Sequence, residues 1–149
     1  MLSETLKLKG RVNLVLKDKD GNVKETRDID NLVVTTGLGY IASRMKDATA
    51  TAMSHMALGS GTTSAAAGDT DVESILGSRE ALDSTTVSGN AVTYIASFEA
   101  GDGTGAVTEA GLFNAASSGT MLCRTVFGVV TKSADDTMTV TWTITISAS

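Results

Sequence analysis

Proline is absent from all 149 residues, and the chain has one cysteine and one histidine. Turns must therefore be built from Gly, Asn and Asp. A lone Cys123 allows no internal disulfide and no multi-cysteine metal site. Aromatics are few: one tryptophan, two tyrosines and three phenylalanines. The core must come mostly from Val, Leu, Ile, Met and Ala, which suits a thin sandwich better than a deep ring-lined pocket. No apolar run approaches the roughly 20 residues of a membrane helix. The start, Met1-Leu-Ser-Glu-Thr-Leu-Lys7, lacks the apolar core of a signal peptide, so the expected setting is a cytoplasm, with no membrane partner. The formal net charge is -5, which argues against nucleic acid, whose backbone needs clustered Lys and Arg.

What is present is a pattern. In Met138-Thr-Val-Thr-Trp-Thr-Ile-Thr-Ile146 every even position is apolar and every odd one is threonine. A period of two places these sets on opposite faces of a sheet. One face is buried, and the other is polar yet uncharged. Leu6 to Leu16 keeps the same even phase, interrupted at Gly10, where a bulge or close backbone approach is expected. Asp18-Lys-Asp-Gly21-Asn22 is a turn. The return strand from Val23 to about Ile29 has a weak inner set and is expected near an edge. Lys7, Lys9, Arg11, Lys17, Lys19, Lys24 and Arg27 alternate with apolar residues and read as the wet face of this hairpin.

Leu38, Ile41, Ala42 and Met45 fall on one helical face. They predict one short helix at about residues 37–46, capped by Thr35 or Thr36, with Arg44 and Lys46 in its last turn. Met53 to Leu58 reads as a strand, Thr62 to Gly68 as a long surface loop, and Asp69 to Leu76 as a segment with one helical turn. Arg79 to Val87 and Ala91 to Phe98 flank a Ser88-Gly89-Asn90 turn. Val107 to Phe113 pairs with Thr120 to Val130. Seven to nine strands and one helix predict a single domain over 1–149, mainly β: an antiparallel β-sandwich of jelly-roll-like type. An extended N-terminal arm, residues 1–8, precedes it.

Signals for chemistry are weak. Any triad would have to run through His55, and no Gly-x-Ser-x-Gly elbow is present. Cys123 reads as a small buried hydrophobe; Arg124 points to the other face of its strand. Asp18-x-Asp20-Gly21 resembles half a calcium loop, but Leu16 and Arg27 occupy the first and last ligand positions, which should be acidic. Gly101-x-Gly-x-Gly105 is not a dinucleotide fingerprint. No pair of carboxylates is singled out for glycoside hydrolysis. The expected sets of catalytic, cofactor-binding and metal residues are empty, no cofactor is expected, and the expected class is non-enzymatic.

Four segments carry a resemblance: Asn31-Leu-Val-Val-Thr-Thr-Gly37 before the helix, Met56-Ala-Leu-Gly-Ser-Gly-Thr62 with Asp69-Thr70, Thr108-Glu-Ala-Gly-Leu-Phe113, and Met121-Leu-Cys-Arg124. Their order, closed by the threonine-alternating strand, resembles small virion structural proteins of tailed bacteriophages. Among these are jelly-roll-like capsid cement (decoration) proteins and modules of tail fibres and baseplates. The resemblance implies a virion component on the capsid exterior that self-associates as a homotrimer or homodimer and binds the major capsid protein. The alternative it implies is a tail-fibre, tail-tip or baseplate module with tail or baseplate proteins as partners. Candidate interface residues are Leu2, Leu6 and Leu8 of the arm, which could add a strand to a neighbour. The segment Ala48 to His55 comes next, with Met53, His55 and Met56 as an exposed group, then the face of Thr139, Thr141, Thr143 and Thr145. The 59–70 loop is a further candidate.

Overall fold

Trp142 shows how the alternating strand is used. In the computed structural model, which describes residues 4–46 and 50–148, its indole is fully buried. Met138, Val140 and Ile144 are buried beside it, while the four threonines lie half-buried on the opposite face. The strand is β10, Thr137–Ala148, and it is the middle strand of a five-stranded antiparallel sheet. One neighbour is β1, Leu6–Lys17, which buries Val12, Leu14 and Leu16. Beyond β1 lies β2, Val23–Asp30, at the edge as its weak inner pattern predicts. The other neighbour is β7, Ala91–Phe98, with β6, Ser84–Ser88, at the far edge. The order is thus β2-β1-β10-β7-β6.

The second sheet contains β3 (Leu32–Val33), β9 (Met121–Lys132), β8 (Gly105–Phe113), β4 (His55–Gly59) and β5 (Glu80–Ala81), in that order. All of its pairs are antiparallel too. Its inner side meets the first sheet in one core that includes Leu58, Phe98, Leu112, Cys123 and Trp142. The protein is therefore mainly β, an antiparallel sandwich with one helix. Consecutive strands β1/β2, β4/β5, β6/β7 and β8/β9 share a sheet, so the strand order does not by itself make a jelly roll.

The turns follow the residue types. The carboxylate of Asp18 accepts from the backbone N–H groups of Asp20 and Asn22, both at 2.9 Å. These bonds, that of Asn22 foremost, hold the Asp18 carboxyl below its usual range. Gly10 in β1 answers to a close approach. A Cβ there would collide with the side chain of Asn31, which fills the space beside Trp142.

The helix α1 spans Thr35–Arg44, close to the predicted position, but its docked face differs. The N-cap residue is Val34, without a side-chain cap, because Thr36 Oγ1 donates instead to the Met121 carbonyl at 3.2 Å. Leu38 and Met45, expected on the inner face, are 48% and 82% exposed. The residues that pack are Gly37, Tyr40 and Ile41. Gly37 lets the helix backbone lie against Leu122, where any Cβ would strike the Leu122 carbonyl. Backbone proximity, not apolar spacing, chose this face.

The outer side of the second sheet is not wet. The 60–78 connection folds back over it and brings Val72 onto Phe113, Met121, Ala57 and Val34 in a second apolar cluster. The expected helical turn within Asp69 to Leu76 is absent; the segment is irregular, with a single bridge between Gly59 and Ile75. No helix among the described residues is long and apolar enough to cross a membrane.

Candidate interaction surface

Three of the segments that carry the resemblance meet in one buried ion network, together with the loop residue Asp69. Glu109, from β8, is fully buried. Its carboxylate accepts from the backbone N–H groups of Gly61 at 2.7 Å and of Glu73 and Ser74 at 2.8 Å. It also accepts from Arg124 Nε of β9 at 3.0 Å. Arg124 Nη2 lies 3.0 Å from the same oxygen, near enough for an ion pair but not aligned as a hydrogen bond. Arg124 Nη1 donates to Asp69 at 2.9 Å. Gly61 is required here, because a Cβ would collide with the Glu109 carboxylate.

The charges in this network are mutually adjusted. Burial works against the Arg124 cation, but the Asp69 and Glu109 carboxylates outweigh it and raise its pKa. The Ala66 N–H, and then the Arg124 guanidinium, hold Asp69 below the carboxylate range. Glu73 is held low by the Thr63 side chain and by the N–H groups of Thr62 and Thr63. The Arg124–Glu109 pair joins β9 to β8, and the bonds from Glu109 to Gly61, Glu73 and Ser74 and from Arg124 to Asp69 tie loop to sheet. The network's work is to pin the 60–78 connection, and the surface loop read from Thr62 to Gly68 is anchored at both ends. Arg79 does the same for the next turn. It stacks 3.5 Å from the Phe113 ring centroid and donates to the carbonyls of Ala115 and Ser118.

A second buried cation, Lys132, donates to the carbonyls of Glu99 and Asp136 at 2.9 and 2.7 Å. Burial lowers its pKa, against the pull of Asp102, Asp136 and Glu99. Asp136 in turn holds Lys24 of the edge strand at 2.7 Å. Sequence reading singled out neither cluster: Arg124 is 15 and 55 residues from Glu109 and Asp69, and Lys132, though only four residues from Asp136, reads as an ordinary turn lysine.

The predicted interface residues fare unequally. Met53 and Met56 are buried, at 4% and 1% exposure, and belong to the main core. They are not available to a partner: His55–Gly59 is an inner strand between β8 and β5, not an exposed stretch. His55 is half-buried, with Nδ1 2.8 Å from the hydroxyl of its chain neighbour Ser54. None of the described hydrogen bonds ties its ring to a carboxylate. Leu2 and Ala48 lie outside the described residues. Leu6 and Leu8 are not a free arm, because they pair with Ala148 and Ile146 of β10. Leu6 stays exposed, whereas Leu8 packs on the core. Cys123 is wholly buried, and burial pushes its thiol pKa well up. A bulge at Leu122 puts Cys123 on the inner face and Met121 on the outer. Their shared phase in the sequence is therefore broken. Among the described residues no group of three His, Cys, Asp or Glu is placed to hold a metal ion.

The threonine face is where the sequence expectation finds geometry. Thr139, Thr141, Thr143 and Thr145 stand opposite Ser97, Ile95, Thr93 and Ala91 of β7. The Thr93 and Thr143 hydroxyls are 3.3 Å apart. Next outward, Ser84, Thr86 and Ser88 of β6 face Ile95, Thr93 and Ala91. The result is a strip three strands wide whose strand residues carry no charge; at its Ser97 end the Asp83 carboxylate accepts from the Ser97 hydroxyl at 2.6 Å. On the other flank of β10 the character changes. Lys9 and Arg11 stand beside Thr145 and Thr143. Arg11 pairs with Asp30 at 3.0 Å, and Asn13 donates to Asp28 at 3.2 Å. Lys9 and Arg11 are thus on the wet face, as read, whereas Arg27 is not: it stands opposite buried Leu14 and donates to the Gly128 and Val129 carbonyls of β9, because β2 turns this phase toward the second sheet. One face of one sheet is divided into a charged half and an ion-free half.

No family model, curated protein or solved structure matches the chain.

Proposed function

We propose that the protein is a non-enzymatic structural component of a tailed-bacteriophage virion, a capsid cement protein that binds the outer shell and ties major capsid proteins together. The observation that carries this reading is the ion-free strip of β10, β7 and β6. Covering charged groups is the costly step in building an interface, and the centres of interfaces are depleted in charge. A partner can cover the centre of this strip, Thr141, Thr143, Thr93 and Thr86, without stripping water from an ion, leaving Asp83 at the Ser97 end on the rim. The flanking charged half supplies a polar rim.

The buried networks fit the same role. Glu109, Arg124 and Asp69 spend their hydrogen-bonding capacity on fixing a loop to a sheet. Lys132 and Asp136 fix the next turn. A rigid block with a pre-shaped face loses little entropy when it docks. Bound to a shell, it stabilises the assembled state by mass action.

Copy number tests the reading. Densitometry of purified virions should find hundreds of copies per particle, in fixed ratio to the major capsid protein. A count of tens or fewer, recovered with tails after fractionation, would replace the cement reading with that of a tail or baseplate module.

A further inference from the structure

We infer that β6 is a self-pairing edge, through which two copies of the chain join their first sheets across a two-fold axis at Thr86. The inference rests on edge geometry and holds whether or not the chain belongs to a virion.

Edge strands expose unpaired backbone groups, and proteins usually blunt them with charge or brevity. Among the described residues, three of the four edges are blunted. β2 carries five charged residues in eight, and β3 and β5 are two residues long each. β6, Ser84-Thr-Thr-Val-Ser88, has no charge and is exposed throughout.

Its register with β7 shows which groups are free. The loop Gly89-Asn90 closes on the pair Ser88 and Ala91, with Gly89 at φ +59°. In a two-residue hairpin the closing pair is hydrogen-bonded, and bonded pairs then alternate. Ser88, Thr86 and Ser84 therefore bond to β7, while the N–H and C=O groups of Thr85 and Val87 point to the open edge. A second β6, antiparallel and centred on Thr86, sets Thr85 opposite Val87 of the other copy. Both of these have outward-facing groups, so every free donor meets a free acceptor.

Side chains agree with this register. Ser84 meets Ser88, and Thr86 meets itself. The nearest charge, Asp83, lies opposite Gly89 of the second copy, and its carboxylate is already engaged by the Ser97 hydroxyl at 2.6 Å. No like charges are opposed. The same edge borders a mainly apolar groove of about 400 Å³ between α1 and the first sheet, lined by Tyr40, Ile41, Val92, Tyr94 and Val87, with Arg44 the one charged residue at it. Val87 is 70% exposed at its rim. In the paired state Val87 of the second copy lies beside Thr85, across the mouth of this groove. The uncharged edge and the open groove thus call for the same occupant.

Sedimentation equilibrium of the full chain tests this. The expected species is a dimer, twice the 15.3 kDa of the chain. Val87→Pro removes an N–H that points outward and leaves the bonds to β7 in place; it should give a monomer with unchanged circular dichroism. Val87→Lys should do the same by placing two cations at the groove. Under oxidation Thr86→Cys should link two copies, because directly opposed non-bonded residues have Cα atoms about 4.5 Å apart, within disulfide range. Ser88→Cys should not. A monomeric parent chain, a dimer untouched by both Val87 variants, or equal cross-linking at Thr86 and Ser88 would each overturn the inference.

Discussion

The indole Nε1 of Trp142 donates to Asn31 Oδ1 across 3.1 Å, joining residues 111 positions apart. Asn31 sits just after the β2 edge strand, and Trp142 is in the middle strand, so the bond crosses the mouth of the core. Gly10 between them has no side chain because Asn31 occupies that space. Asn31 Nδ2 is itself buried without a partner, so the site is held for its shape and for the indole.

Gly10→Ala should therefore destabilise by about 1–3 kcal/mol, the usual effect of overpacking. Asn31→Leu should cost a similar ~1–3 kcal/mol by leaving the indole N–H buried and unpaired. Urea unfolding followed by the fluorescence of Trp142, the single tryptophan, reads both. Gly10→Ala at parental stability would contradict the packing described.

The Glu109 network makes a sharper claim, because its removal has two consequences. Arg124→Met leaves the Glu109 carboxylate buried without its cation, a change that typically costs about 3–5 kcal/mol. Glu109→Ala instead orphans the N–H groups of Gly61, Glu73 and Ser74. Hydrogen exchange should then accelerate at those three amides before it does in β10. Acceleration spread evenly over both sheets would show that the network holds the sandwich rather than the loop.

Acid should weaken the fold. Asp69 is held low chiefly by the Ala66 N–H, and Asp136 chiefly by its hydrogen bond from Lys24. A carboxyl whose folded pKa is depressed binds protons more readily in the unfolded chain. Its contribution is present above the unfolded value of about 3.9 and is lost as pH falls through the folded one. Glu80 acts in the opposite sense, since burial raises its pKa. With Asp18 and Glu73 also held low, the depressed group prevails. The urea midpoint should drop between about pH 5 and pH 3, and less steeply in Asp136→Asn. A midpoint that is level or rising over that interval would contradict this.

Much of the sandwich was legible because its signals are local. Strand β10 declares both faces by strict alternation, and Asp18 to Asn22 declares a turn by composition. The helix was legible in position but not in orientation, because Gly37 docks it and a glycine adds nothing to an apolar pattern. Met53 and Met56 were read as exposed because the short strand β4 gives no sign that the first sheet will pack over their side of it. The ion network left no local trace. Arg124 is 15 residues from Glu109 and 55 from Asp69. Only the fold brings them together, although the segments holding them were the ones that carried the resemblance.

The threonine face bears the central claim, and two substitutions address it directly. Thr141→Glu with Thr143→Glu places charge in the middle of the ion-free strip without touching the core beneath it. The measurement is co-sedimentation of this variant and of the parent chain with virions made without the protein. The account predicts that the parent pellets with the particles to saturation while the variant, folded and equally stable, stays in the supernatant. A variant that pellets as the parent does would contradict it.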